Sequence, residues 1–536
     1  MTVADVPKAG RREWVGLAVL ALPTFLVAID IFVLLLALPH LSADLKADST
    51  QQLWVMDIYG FMLAGFLVTM GTLGDRIGRR KLLLIGATAF GIASVLTAYA
   101  TSPGMLIAAR AVLGIAGATL MPSTLALITN MFQDAKQRAT AFGLWGGTFT
   151  LGAIVGPIIG GVLLENFWWG AVFLLAAPLM VLLLILGPIV LPEYRNSNAG
   201  RIDPASVVLS LATMLPIIWG IKELARNGWH PLPIVAVLVG IVAALAFGRR
   251  QRTLRDPLLD LGLFGNRSFS TALTSQLCYS VVGGGTMLFM MLYFQVVGGM
   301  STLQAGLAML PGMAAATAGF MVAPMLASKF RPAYVISAGM AGTAIVLAAF
   351  TQVGATSGTA ILIVGFAFFS FCGAPLVALG TNIVVGSAPP EKAGSAGSLA
   401  QMSNEFGGTL GGALLGTIGF ALYRSHVADT IPANIPADAA AAARDSIAGA
   451  AAAAGKLPEQ LGAALLAPAN QAFAGALNTV TAIGAVLLAG VAVLIATMLR
   501  HVPPIGQAEP AADGGSEQVS DGAEAAAPVA ASTPSA

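Results

Sequence analysis

Charge is what this sequence lacks most. Asp, Glu, Lys and Arg together make up 10% of its 536 residues, while 57% are hydrophobic. Soluble domains carry about 25% charged residues, so the composition excludes a soluble globular fold and implies a polytopic membrane protein. Cysteine is nearly absent. Cys278 and Cys372 both sit in apolar runs, which leaves no disulfide framework and no zinc spacing. Four histidines, His40, His230, His426 and His501, lie far apart in sequence, which argues against a metal site. No phosphate loop of the form Gly-x-x-x-x-Gly-Lys-Ser/Thr occurs; the nearest dipeptide is Gly455–Lys456, with Ala450 where the first glycine would stand. That excludes a pump driven directly by ATP. No nucleophile–base or metal constellation interrupts the apolar runs, so an enzyme is not expected, nor a cofactor, nor a nucleic-acid partner.

Long apolar runs are what is there. A helix crossing the hydrocarbon core needs roughly 20 apolar residues, and only helices and closed barrels can span a bilayer. Fourteen such runs follow one another, near 15–38, 52–73, 82–101, 105–128, 139–163, 168–191, 205–224, 232–248, 268–297, 304–326, 333–351, 358–380, 397–422 and 476–499. The first is too long for the apolar part of a signal peptide, and no Ala-x-Ala cleavage pattern follows it. With residues 1–14 placed in the cytoplasm, 20 of the 27 Lys and Arg fall on the cytoplasmic side, 6 fall outside, and Arg110 lies within a span. A miscounted helix would invert every later loop and destroy this positive-inside asymmetry. Both termini are therefore expected in the cytoplasm, in the inner membrane of a bacterium.

The outside loop 423–475 is Ala-rich and is expected to form one or two short amphipathic helices. The tail within 500–536 is rich in Pro, Ala, Glu and Ser and is expected to be disordered. Two similarities recur at nearly one offset. "LGDRIGRR" (73–80) has a counterpart in "LASKFRP" (326–332), and Gly152, Gly156 and Gly161 have counterparts 255 residues later at Gly407, Gly411 and Gly416. The spans therefore divide into a six-helix bundle at 15–191, two inserted helices at 205–248, and a second six-helix bundle at 268–499. Paired bundles with a site between them near the midplane are a transporter architecture.

Two stretches carry specific motifs. "GTLGDRIGRRKLL" (71–83) follows the second span; its glycines permit a tight turn, and Asp75 can cap a helix or pair with Arg79 or Arg80. "LGAIVGPIIGG" (151–161) places small residues four apart, which lets helix backbones touch, and Pro157 bends the helix. Gly71, Gly74, Asp75, Arg76, Gly78, Arg79 and Arg80 resemble the signature gating loop of the major facilitator superfamily. Gly152, Gly156, Pro157, Gly160 and Gly161 resemble that superfamily's antiporter motif, carried by exporters. The resemblance implies an all-α membrane fold of two six-helix bundles plus two inserted helices. With fourteen spans and "DIFVLLLALP" (30–39) in the first, it extends to the drug:H+ antiporter branch, which includes quaternary-ammonium and dye exporters. Phe32 and Leu35 depart from the branch's more polar pattern.

Charged residues inside spans are costly and therefore functional candidates. They are Asp30, Asp57, Arg110 and Glu405. Arg110 resembles the helix-4 arginine of proton-coupled drug exporters; the bland alternative is an arginine snorkelling to the outer interface. Asp57 lies near a span end and could simply face water. Gln401, Asn404 and Glu405 share one helix face by their spacing. Asp30 is read as a proton carrier, because a carboxyl deprived of water favours its neutral form; the alternative is a fixed pair with a partner such as Arg110. Tyr59, Trp145, Phe149, Met290 and Tyr293, with Glu405, are the candidate lining for a lipophilic cation. The expected activity is proton-coupled export of lipophilic, cationic drugs or dyes by alternating access, by a monomer in a lipid bilayer. The competing reading is export of an endogenous metabolite or lipid by the same machinery; a non-transporting membrane protein is the remote third.

Overall fold

The computed structural model describes residues 8–504 except 48, 196–202, 228–229, 255–256, 356–357, 390–391, 429 and 433. The segment 505–536 lies outside the described residues, as do the side chains of Phe32, Leu35 and Pro157. Among the described residues there is no strand, and fourteen helical segments are long and apolar enough to cross a membrane. The helices are α1 (Arg11–Leu45), α2 (Ser49–Ile77), α3 (Arg79–Ala98), α4 (Pro103–Met131), α5 (Ala135–Asn166), α6 (Ala171–Leu174), α7 (Ala176–Val190), α8 (Pro204–Asn227) and α9 (Pro231–Thr253). They continue with α10 (Arg267–Leu292), α11 (Thr302–Ala327), α12 (Pro332–Phe350), α13 (Gly358–Gly386), α14 (Ala393–Ala428), α15 (Ala437–Asp445), α16 (Ile447–Ala454) and α17 (Glu459–Met498).

Boundaries move where local chemistry outweighs hydropathy. The sixth span breaks at Leu175 into α6 and α7, and a π-helical turn, Tyr293–Val297, ends the ninth. The expected outside loop is more ordered than two short helices suggest. α15 and α16 fold back onto the first turns of α17, which starts well before its apolar run, and Ala439, Ala443, Ile447 and Ala450 are buried against Leu465, Ala469 and Phe473. The Tyr423 hydroxyl donates to the Ala443 carbonyl at 2.8 Å and ties this cap to α14.

The apolar interior divides in two. One cluster joins α1 to α4 and α5 to α7 around Phe90, Leu113, Phe132 and Phe142; the other joins α10 to α13 with α17 around Phe289, Phe294, Phe350 and Phe473. The first pair of repeated glycines occupies the same place in each. A Cβ on Gly152 of α5 would lie 2.5 Å from the Phe25 carbonyl oxygen of α1. A Cβ on Gly407 of α14 would lie 2.9 Å from the Leu277 carbonyl oxygen of α10. Only glycine permits that closeness, so the same backbone contact is built twice. α8 and α9 pack on each other, and α8 leans on α2 and α14, with Ile218 of α8 against Phe61 and Ala64 of α2.

Candidate functional site

The end of the molecule that carries residues 71–83 is closed by polar contacts. Arg79 Nε donates to Asp75 Oδ1 at 2.8 Å, and its Nη2 also contacts that oxygen. Both side chains are buried, Arg79 completely. The other Asp75 oxygen accepts from Ser395 Oγ of α14 at 3.0 Å, so one carboxylate ties the motif to the opposite bundle. Gly74 makes room for Arg79: a Cβ there would meet the guanidinium at 2.6 Å. Gly78 has φ of 110°, a left-handed conformation that favours glycine, and a Cβ there would strike Glu193. Gly71 is buried and Arg76 half-buried beside them. Arg80 reaches the carbonyls of Pro188 and Leu191. Glu193 escaped the sequence reading. Its carboxylate accepts from the backbone N–H groups of Arg80 and Lys81, free donors at the start of α3. The sequence signal was faint, a lone acid just after an apolar run.

Further contacts join the bundles in the same half of the molecule. Arg138 Nε of α5 donates to Asn382 Oδ1 of α13 at 3.2 Å. A Cβ on Gly143 would sit 2.5 Å from the Phe320 carbonyl of α11, and one on Gly397 would press on Leu125 of α4.

Deeper in the molecule, Arg110 Nη1 donates to Asp30 Oδ2 at 2.6 Å. Arg110 is 1% exposed and Asp30 9%, so Arg110 does not snorkel to an interface. Its Nε donates to the Val55 carbonyl at 3.4 Å, and its guanidinium carbon stands 4.7 Å from the centre of the Tyr59 ring. Such a cation–ring contact is worth about 0.5–2 kcal/mol. Arg110, Tyr59 and Phe149 line a cavity of about 200 Å³ together with Gln401 and Glu405 from α14. Gln401 Nε2 donates to Glu405 Oε1 at 3.1 Å. The structure thus brings Asp30, Arg110, Tyr59, Phe149 and Glu405 to one place between the bundles. It also forms the Asp30–Arg110 pair that the sequence offered only as an alternative.

A second cavity, of about 330 Å³, opens further along α14, lined by Asn404 and Gly408 with Met290, Thr286, Phe366 and Phe369 among others. Tyr279 stacks on Phe369, and Phe369 on Phe366, in one column of rings. Residues 401, 404, 405 and 408 recur at helical spacing, so both cavities face the same side of α14.

The remaining candidates lie elsewhere. Trp145 is buried with its indole N–H donating to Thr124 Oγ1. The Tyr293 hydroxyl donates to the Gly354 carbonyl and accepts from the Gly358 N–H. Both are packing positions and line neither cavity. Asp57 is half-buried toward the far end of α2 and does not line the cavity that holds Glu405. In the 151–161 motif, Gly160 packs on Val33, Gly156 is buried, and a Cβ on Gly161 would meet nothing within 4 Å.

The model of the Major Facilitator Superfamily matches residues 20–412. The chain is 41% identical over 491 residues to the multidrug efflux pump LfrA of Mycolicibacterium smegmatis, covering 91% of this chain and 97% of that protein. It is 34% identical to the methyl viologen resistance protein SmvA of Salmonella typhimurium, covering 86% and 93%. Against the tetracenomycin C resistance and export protein of Streptomyces glaucescens it is 32% identical, covering 92% and 94%. Among solved structures, the human organic anion transporter MFSD10 superposes with a TM-score of 0.58 at 16% identity, covering 89% of this chain and 99% of that one. With its fourteen apolar helices and a motif loop that clasps two bundles, the chain belongs to the Major Facilitator Superfamily: it is a multi-pass membrane transporter and not an enzyme.

Proposed function

We propose that this transporter exports lipophilic cationic drugs or dyes across the bacterial inner membrane in exchange for protons, as a monomer with both termini in the cytoplasm. The relatives' names support drug export, and the basic residues flanking the spans support the orientation. One observation carries the cation and proton assignment. Arg110 and Glu405 line the central cavity and Asp30 is paired with Arg110 at its wall, two carboxylates against one guanidinium, a formal charge of one negative unit when all are ionised. A cation binding there restores neutrality, and Tyr59 and Phe149 offer ring faces to it.

Exchange follows from the same arithmetic. A proton taken up by Asp30 cancels the negative unit and breaks the charge pairing with Arg110. The cation then shares its cavity with an unneutralised guanidinium and is expelled. Closure by Asp75, Ser395 and Arg138 at the cytoplasmic end directs that release outward. Loss of the proton to the cytoplasm after the bundles rock re-forms the pair. One proton moving down 100 mV yields about 2.3 kcal/mol, comparable to the insertion cost of one intramembrane carboxylate. The test is reconstitution in liposomes with an imposed proton gradient. Efflux of a planar dye cation should rise with the gradient and collapse with a protonophore; efflux indifferent to both defeats the proton assignment. Equal transport of a neutral analogue defeats the cation assignment.

A further inference from the structure

The inserted hairpin does more than lengthen the chain. Gln251, on the last turn of α9, is 3% exposed. Its Oε1 accepts from the backbone N–H groups of Leu258 and Leu259 at 2.7 and 3.2 Å. Its Nε2 donates to Ser206 Oγ of α8 at 2.8 Å. Ser206 is in turn fixed to Asp203, which holds Arg250 through two hydrogen bonds of 2.6 and 2.9 Å. The amide therefore clamps both inserted helices to the segment 257–266 that leads into α10.

That segment runs between the two bundles at the gate. The Leu258 carbonyl accepts from Thr72 Oγ1 at 2.8 Å, and Thr72 Oγ1 lies 3.3 Å from Ser395 Oγ, the group that bonds Asp75. Two residues on, Asp260 accepts from Lys392 Nζ at 2.6 Å, just ahead of α14. Leu258 and Leu263 are buried with Val68 of α2, Phe269 of α10, Val384 of α13 and Leu399 of α14. Leu258 is thus hydrogen-bonded to the hairpin through its N–H, bonded to the gating motif through its carbonyl, and packed on the second bundle through its side chain.

We propose that the segment 257–266 is a strap that forms a third part of the cytoplasmic gate, and that Gln251 is its positioning residue, through which the inserted helices bias the closed state. The proposal rests on alternating access by the two bundles. A hairpin that only fills a lipid-facing gap would have no reason to satisfy the backbone of a segment lying against Thr72 and α14.

The experiment measures the gate directly. In a Cys278→Ser, Cys372→Ser background, spin labels at Lys81→Cys and Lys329→Cys, both exposed at this end, report the spacing of the bundles. The strap predicts that Gln251→Leu shifts the closed-to-open ratio toward open by about fivefold, the effect of losing hydrogen bonds worth about 1 kcal/mol net. Thr72→Val should do the same and Thr72→Ser should not. Gln251→Leu combined with Thr72→Val should give less than the sum of the two, since both act through Leu258. An unchanged distance distribution, or strictly additive effects, overturns the proposal. Should Gln251→Leu fail to fold, Lys392→Met tests the exposed end of the strap by the same measurement. Dye efflux by the unsubstituted protein is read in parallel. Its absence would count against the export reading, while the distance distribution still decides on the strap.

Discussion

Arg110 sets the terms at the scale of single residues. A guanidinium this deeply buried needs a partner, and removing one member of a buried pair costs about 3–5 kcal/mol because the other is left charged and dry. Asp30→Asn in liposomes is expected to insert but to bind a dye cation weakly, as the protonated form does, and to lose gradient-driven efflux; efflux that still follows the proton gradient would move the coupling role to Glu405. Glu405→Gln should weaken a cationic cargo by about tenfold or more and leave a neutral analogue nearly unchanged, as measured by binding to the purified protein. Equal loss of both would make Glu405 a coupling acid instead. Sequence chemistry led directly to these groups, because a charged residue inside an apolar run stands out. The pairing of Asp75 with Arg79 was legible for the same reason, being one helical turn apart. Glu193 was not legible: its role depends on a backbone start more than a hundred positions away. Trp145 and Tyr293 line neither cavity, because span and aromatic character do not say which side of a helix faces one.

Helices meet here through glycine, and spacing alone does not say which glycines matter. Gly152 and Gly161 both belong to the 151–161 motif, yet only Gly152 is pressed against a neighbouring backbone. Gly152→Ala should force α5 off α1 and lower transport severalfold. Gly161→Ala should be silent in transport and stabilise the protein by about 0.5–1 kcal/mol, since alanine costs less chain entropy in a helix. Transport rates and thermal unfolding of the two variants side by side check this, and equal damage from both would mean that the motif acts by some route other than packing. The spans themselves were readable because hydropathy and length are properties of one segment. The fold of 423–475 onto α17 was less so: its alanines carry a weak apolar pattern, and burial of Ala443 and Ala450 depends on Leu465 and Phe473 across a turn.

For the molecule as a whole, the question is which charges respond to pH while it works. The ion pairs around the strap do not, in the working range. The hydrogen bond from Lys392 holds the Asp260 carboxyl below the usual carboxylate range, and that from Arg250 holds Asp203 far below it. Both groups have lower pKa values folded than unfolded, so their contribution is fully present above about pH 4, the unfolded value. It fades only as pH falls through the still lower folded values. Between about pH 5 and 8 these two contacts of the strap are constant, so a pH dependence of export comes from other groups. Lys392→Met is therefore expected to change the rate of dye efflux but not the pH at which it is half-maximal. Any residual downhill efflux by Asp30→Asn should not vary with pH. Measured in liposomes with internal and external pH set independently, a shifted midpoint in Lys392→Met would mean that the gate itself titrates, and the separation of gate from proton site would have to be abandoned.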